Sequence, residues 1–154
     1  EGSGKLANGH TYMSHSVACA GALAALTAIE NEGLLERVRV LGEELLRQLT
    51  ETFGNHRHVG DIRGRGLFYA VELVKDRATK EPFPASLGLA ERIRSEAMSN
   101  GLICYPSSGT ADGVNGDHVL LAPPFICSEE DIAEIVRRLS RSVEAALAAG
   151  TLAA

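Results

Sequence analysis

The sequence predicts an α+β fold: a small, mainly antiparallel sheet covered by helices and preceded by a long helix. Three observations carry this. Apolar residues recur every three or four positions from Leu34 and again from Ile132, the signature of amphipathic helices. Four short runs rich in β-formers, at 59–63, 67–74, 102–105 and 118–121, are set off by glycine and proline. In order, the segments read helix–helix–strand–strand–helix–strand–strand–helix, the pattern of an α+β unit.

The first helix covers 17–31, with Ser14 or Ser16 as its cap. It is apolar nearly all round, which predicts burial on several sides. Its many Ala and Gly residues permit close backbone approach, so it is expected to pack against something outside this chain. Asn31-Glu32-Gly33 breaks or bends it. The second helix covers 34–53: Leu34, Val38, Leu41, Leu45 and Leu49 form one face, and Glu36, Arg37, Glu43, Glu44 and Arg47 fill the other. Residues 54–58 turn the chain.

Strands at 59–63 and 67–74 are joined by Gly64-Arg65-Gly66 as a hairpin. Leu67, Tyr69, Val71 and Leu73 share one face, and Phe68, Ala70 and Val74 make the other mostly apolar. A sheet buried on both faces is implied. A proline-bearing loop at 75–84 leads to a third helix at 85–99, ended by Asn100-Gly101. A strand at 102–105 is stopped by Pro106, and 107–116 is glycine-rich and irregular. A strand at 118–121 ends before Pro123-Pro124. Ser128-Glu129-Glu130-Asp131 opens the last helix in the manner of a capping box, followed by a stripe of Ile132, Ile135, Val136, Leu139, Val143 and Leu147.

The chain has 154 residues, 45% hydrophobic and 23% charged, which suits an ordered globular core and argues against disorder. A net charge of −5 without a basic block excludes a nucleic-acid footprint. The apolar run 17–29 is too short to cross a bilayer and lies too far in for a signal peptide. Cys19, Cys104 and Cys127 are odd in number and lie in apolar segments, which predicts buried, reduced thiols and a cytoplasmic protein.

The chemistry concentrates at the beginning. Gly9-His10-Thr11-Tyr12-Met13-Ser14-His15 is a polar loop running straight into a helix. A glycine-flanked hydroxyl with exposed amides beside a helix start suits a phosphate. Elsewhere the motifs are weaker. Gly60-x-x-x-Gly64-x-Gly66 lacks nucleotide-loop spacing and connects strand to strand. Residues 112–117 lack the alternating oxygens and final Glu of a calcium loop. His56 and His58 have no third ligand nearby. Asp117-His118 reads as the start of a strand, and no helix N-terminus activates Cys104 toward His118.

The segment from Gly9 to Ala20 closely resembles the loop and helix start of the class III (ω-amino acid type) aminotransferases, pyridoxal-phosphate enzymes of fold type I. Three more segments agree in order and spacing: Val59 to Phe68, Gly101-Leu102-Ile103, and Gly116 to Pro124. The resemblance spans essentially the whole chain and the C-terminal part of the family's chain. It implies that 1–33 end the large cofactor-binding domain and start a linking helix, and that 34–154 form the C-terminal small domain. It implies pyridoxal 5'-phosphate bound through Thr11, with His10 and Gly9, on the neighbouring subunit's cofactor, hence a homodimer with shared active sites.

Transamination needs a lysine to hold the cofactor and move a proton. Lys75 and Lys80 fall in a loop, and Lys5 does not match the family's lysine motif. The resemblance places that lysine before Glu1, so no catalytic residue is assigned and the chain alone is expected to be inactive. In one branch of the family an arginine stands where this chain has Leu120; in another it stands at Tyr105. With neither arginine present, a substrate carboxylate would be bound by an upstream residue, by the loop 107–116, or by Arg63 or Arg65. Tyr105 and Arg63 are taken as the candidate substrate-binding residues, Arg63 and Arg65 having the alternative of a structural role, with ion pairs, at the hairpin. The expected reaction moves an amino group from a primary amine or ω-amino acid to a 2-oxo acid. The alternatives are a glutamate-1-semialdehyde aminomutase-like enzyme and a non-catalytic α+β binding or regulatory domain. Neither nucleic acid nor membrane is an expected partner.

Overall fold

The computed structural model describes Gly4 and residues 8–151, in two compact units, Glu1–Leu35 and Glu36–Ala154. Lys5 lies outside the described residues.

The first unit holds the polar loop and α1 (Ser16–Asn31). Its cap is His15, neither Ser14 nor Ser16: the imidazole Nδ1 accepts the amide of Ala18 at 3.2 Å. Ser14 has φ 60°, the left-handed bend that delivers the chain to the helix, and Ser16 is already helical. No residue of α1 is buried, contrary to the expected burial on several sides. Val17, Leu23 and Leu26 remain 74%, 66% and 60% exposed, so the cover their chemistry calls for is not supplied by the described residues. Cys19 is exposed with them, Cys104 is half-buried, and only Cys127 meets the expectation of burial.

In the second unit, α2 (Leu34–Phe53) is followed by β1 (Val59–Arg65) and β2 (Phe68–Leu73), then α3 (Leu89–Ser99), β3 (Tyr105–Ser108), β4 (Asp117–Leu121) and α4 (Glu129–Thr151). The four strands lie in the order β1-β2-β4-β3, each pair antiparallel. Leu41, Leu45, Leu49 and Phe53 of α2, Ile93 of α3, and Ile132, Val136, Leu139 and Val143 of α4 share one core with Val71, Leu73 and Val119 of the sheet. The stripes read from the sequence are the buried ones, because a 3.6-residue period keeps one face in the core. Gly42 sets the approach of α2 to the β1–β2 turn: a Cβ there would stand 2.4 Å from the Gly66 carbonyl oxygen.

Four boundaries differ from expectation. The hairpin is tighter, with Arg65 opposite Phe68 and only Gly66-Leu67 between the strands. Gly88, at φ 60°, divides the third helix into a short 3-10 turn (Ala85–Leu87) and α3. The last strand gains Asp117. The strand expected at 102–105 lies at Tyr105–Ser108, and Pro106 sits inside it. Proline is tolerated because β3 is an outer strand, where a missing donor costs no ladder bond on the open side. Each outer strand also has a main-chain acceptor taken by a basic side chain. Arg94 donates to the Pro106 carbonyl at 2.9 Å, and Lys80 donates to that of Gly60, beside an irregularity in β1.

The sheet is buried on one face and only partly on the other, where Ala70 and Val74 are buried as expected. Tyr69, Val71 and Leu73 point into the core, while Phe68 is 56% exposed and Glu72 half-buried. The second face was expected to be apolar; it carries Arg63, Asp61 and Glu72, whose hydration opposes burial.

The capping box opens α4 as expected: Ser128 Oγ accepts the Asp131 amide at 3.1 Å, and Asp131 accepts the Ser128 amide at 2.9 Å. Further along, Arg137 and Arg138 both donate to Glu134 and hold its pKa down at about 2. A depressed carboxylate stabilises the fold above its unfolded pKa and loses that contribution as pH falls from 4.5 through about 2. Glu134→Gln should therefore make the melting temperature fall less steeply over this window. Identical slopes for both proteins would remove Glu134 from the acid response.

Candidate functional site

In the first unit the polar loop is two overlapping turns. Met13 N–H donates to the His10 carbonyl at 3.0 Å, and His15 N–H to that of Tyr12 at 3.1 Å. Thr11 is held at their exposed crest, and its hydroxyl has no hydrogen-bond partner among the described residues. His10 and Gly9 precede it, both exposed, and a Cβ at Gly9 would meet nothing closer than Met13 Cε at 4.0 Å. The backbone is thus open to close approach. Immediately after comes the N-terminus of α1, whose first amides have no partner within a helix and whose dipole favours an anion. A free hydroxyl donor, an approachable backbone and a helix start form a donor set that fits a phosphate.

The second unit contributes the open sheet face. Strand register places Arg63, Ala70, Leu120 and Tyr105 in one row across all four strands, and Asp61, Glu72, His118 and Ser107 in the next. The two candidate substrate residues, Arg63 and Tyr105, therefore share a face, with Leu120 between them. Tyr105 is 65% exposed. A cavity of about 360 Å³ opens here, walled by Arg63, Phe68, Ala70, Thr110, His118 and Leu120. Gly9, His10 and Thr11 belong to the other unit.

Arg63 is occupied. Its Nη1 donates to Asp61 at 2.9 Å and to Glu72 at 2.5 Å, and these bonds, Glu72 first, raise its pKa further above the usual range. The structural ion pair weighed from the sequence exists, on residues that also line the cavity. His118, read from the sequence as a strand start, is a cavity wall as well. Its Nδ1 is buried with no hydrogen-bond partner among the described residues, and burial, then the charge of Arg63, lowers its pKa. The signal available in the sequence was the two-residue spacing of His118 and Leu120, which puts them on one side of a strand. Phe68 and Thr110 carried no such signal.

Several other side chains are spent on structure. Asp112 accepts the amides of Val114 and Asn115 at 2.9 and 2.7 Å and closes its own loop. His56 bonds Glu144 at 2.9 Å, and His58 receives Arg57 Nε at 2.8 Å. Lys75 pairs with Glu81 at 2.8 Å, which raises its pKa, and Lys80 donates to Gly60. A lysine that attacks a carbonyl needs the opposite, a free amine of lowered pKa.

These features converge on one family. The profile of the class-III aminotransferases matches residues 2–143, and the chain belongs to that family. It is 45% identical over 139 residues to an uncharacterized aminotransferase of Schizosaccharomyces pombe, covering 90% of this chain and 30% of that protein. Among solved structures it resembles a thermostable (S)-enantioselective omega-transaminase from Thermomicrobium roseum, with a TM-score of 0.82, 29% identity, and coverage of 95% of this chain and 31% of that one. It also resembles an amine transaminase from an uncultivated Pseudomonas species, solved in its PLP-bound form, with a TM-score of 0.78, 30% identity, and coverage of 92% and 30%. The chain spans about 30% of the length of the relatives it matches, and its fold is that of the corresponding part of fold-type I transaminases. No helix among the described residues is long and apolar enough to cross a membrane.

Proposed function

We propose that this chain is the C-terminal portion of a pyridoxal-phosphate aminotransferase that moves an amino group from a primary amine or ω-amino acid to a 2-oxo acid. The observation that carries the reading is the Thr11 loop, a hydroxyl without a hydrogen-bond partner among the described residues at an approachable turn beside the start of α1. In this reading residues 1–33 close the large domain and begin the linking helix, and 34–154 form the small domain.

Bound pyridoxal phosphate supplies the electron sink that lets an amine exchange its nitrogen. Thr11 donates its hydroxyl to the phosphate, and a charge-assisted bond of this kind is strong for its size. Gly9 lets the phosphate come close to the backbone, and His10 holds the turn through its carbonyl bond to Met13. Tyr105 and Arg63 face the substrate, with Asp61 and Glu72 fixing the guanidinium. The uncovered apolar surface of α1 supports a homodimer, because a surface of this kind is stable when a partner buries it. Thr11 then serves the partner's cofactor. The lysine that holds the cofactor lies outside this sequence, consistent with the engagement of Lys75 and Lys80, and the portion alone is inactive.

Borohydride reduction of the native parent protein, followed by peptide mapping, tests this. A pyridoxyl adduct is expected on a lysine upstream of Glu1, and on none of Lys5, Lys75 and Lys80. An adduct on Lys5, Lys75 or Lys80 would overturn this placement of the lysine, and none on any peptide would replace the reading with a binding or regulatory domain.

A further inference from the structure

We infer that the cavity on the open sheet face receives the non-reacting end of the amine substrate and selects a neutral end, apolar with one hydrogen-bonding group, over a carboxylate. The inference rests on the transaminase reading above and names the substrate class of that site.

A carboxylate is drawn to a cation whose charge is not already offset. The cavity wall offers one cation, Arg63, and two carboxylates of the protein already hold it. One guanidinium against Asp61 and Glu72 leaves a surplus of negative charge, so an incoming carboxylate meets like charge. Arg65 lies on the same side of β1 by register, at the exposed end of the strand, and does not line the cavity. The rest of the wall is apolar: Phe68, Ala70 and Leu120 give a substrate chain a surface to leave water for. At about 360 Å³ the space is at the small end of ligand pockets.

Two neutral polar groups complete the wall. Thr110 brings a hydroxyl, and His118 brings its imidazole edge to the wall, while the ring's Nδ1 is buried with no hydrogen-bond partner among the described residues. Burial and the nearby charge of Arg63 both favour the neutral ring. Neutral imidazole donates at one nitrogen and accepts at the other. It therefore suits a hydroxyl or an amide on the substrate, and it offers a carboxylate no positive charge.

The test uses the full holoenzyme with pyruvate as acceptor and three amines of matched length: 1-aminopentane, 4-amino-1-butanol and 4-aminobutanoate. The two neutral amines are expected to exceed 4-aminobutanoate in kcat/KM by about tenfold or more. Leu120→Arg, which places an unpaired cation in the row beside Arg63, is expected to shift that ratio toward 4-aminobutanoate by about tenfold. His118→Ala is expected to lower kcat/KM for 4-amino-1-butanol several times more than for 1-aminopentane. Equal or better use of 4-aminobutanoate by the wild type overturns the assignment while leaving the transaminase reading intact. Transfer from none of the amines, by an enzyme that also forms no borohydride adduct, overturns both.

Discussion

Thr11→Ala in the full enzyme is expected to weaken pyridoxal phosphate binding by ~10- to 100-fold, from the loss of one hydrogen bond to a charged group worth ~1.5–3 kcal/mol. The expectation follows from the loop's geometry. The turns at His10–Met13 and Tyr12–His15 are closed by main-chain bonds, so neither depends on the Thr11 side chain. Removing the hydroxyl leaves the loop in place and withdraws one donor. Equilibrium dialysis followed by cofactor absorbance reads the change directly, and Thr11→Ser should restore most of the affinity. Melting of the apoenzyme should not move, since Thr11 is exposed and bonded to nothing among the described residues. An unaltered dissociation constant would remove Thr11 from the phosphate site and take the main support from the proposed function.

Gly42→Ala should destabilise the fold by about 3 kcal/mol, the upper range for overpacking a tight contact. Two effects compete. Alanine in a helix interior gains ~1 kcal/mol over glycine. Against it, the new Cβ would lie 2.4, 2.6 and 2.7 Å from the oxygen, carbonyl carbon and Cα of Gly66. All three are backbone atoms of a two-residue turn, so relief requires moving α2 or the hairpin as a body. Gly66 has little freedom to yield, because it holds φ 58° and its own added Cβ would meet Val38 Cγ1 at 2.9 Å. Urea unfolding of the two proteins measures the difference. A gain in stability would show that the helix and the turn are further apart than described here. The proposed site is coupled to this contact, since β1 carries Arg63 three residues before the turn begins.

The helices were legible because burial follows a period that the sequence displays. Leu41, Leu45 and Leu49 announce their face, and the stripe from Ile132 does the same. What escaped were features decided by neighbours in space. Pro106 reads as a stop until β3 proves to be an outer strand. Phe68 reads as core until Asp61 and Glu72, brought together by hairpin register, keep that side hydrated. His15 displaced two serines as a cap because Ser14 is used for the bend. The loop proposed to hold the phosphate could be put forward locally, since seven consecutive residues contain it. The proposed substrate face could not: Arg63, Tyr105 and His118 come from three strands, and only the strand order joins them.

The outer strands carry a consequence for how this protein behaves at high concentration. A free sheet edge is a template on which further chains can add, strand upon strand, toward fibrous aggregates. Here one rim bears a proline and an arginine-held carbonyl, the other an irregular strand start and a lysine-held carbonyl. Both features disfavour growth along the sheet. Self-association by strand addition is thereby disfavoured, whatever comes to cover the exposed apolar side chains of α1.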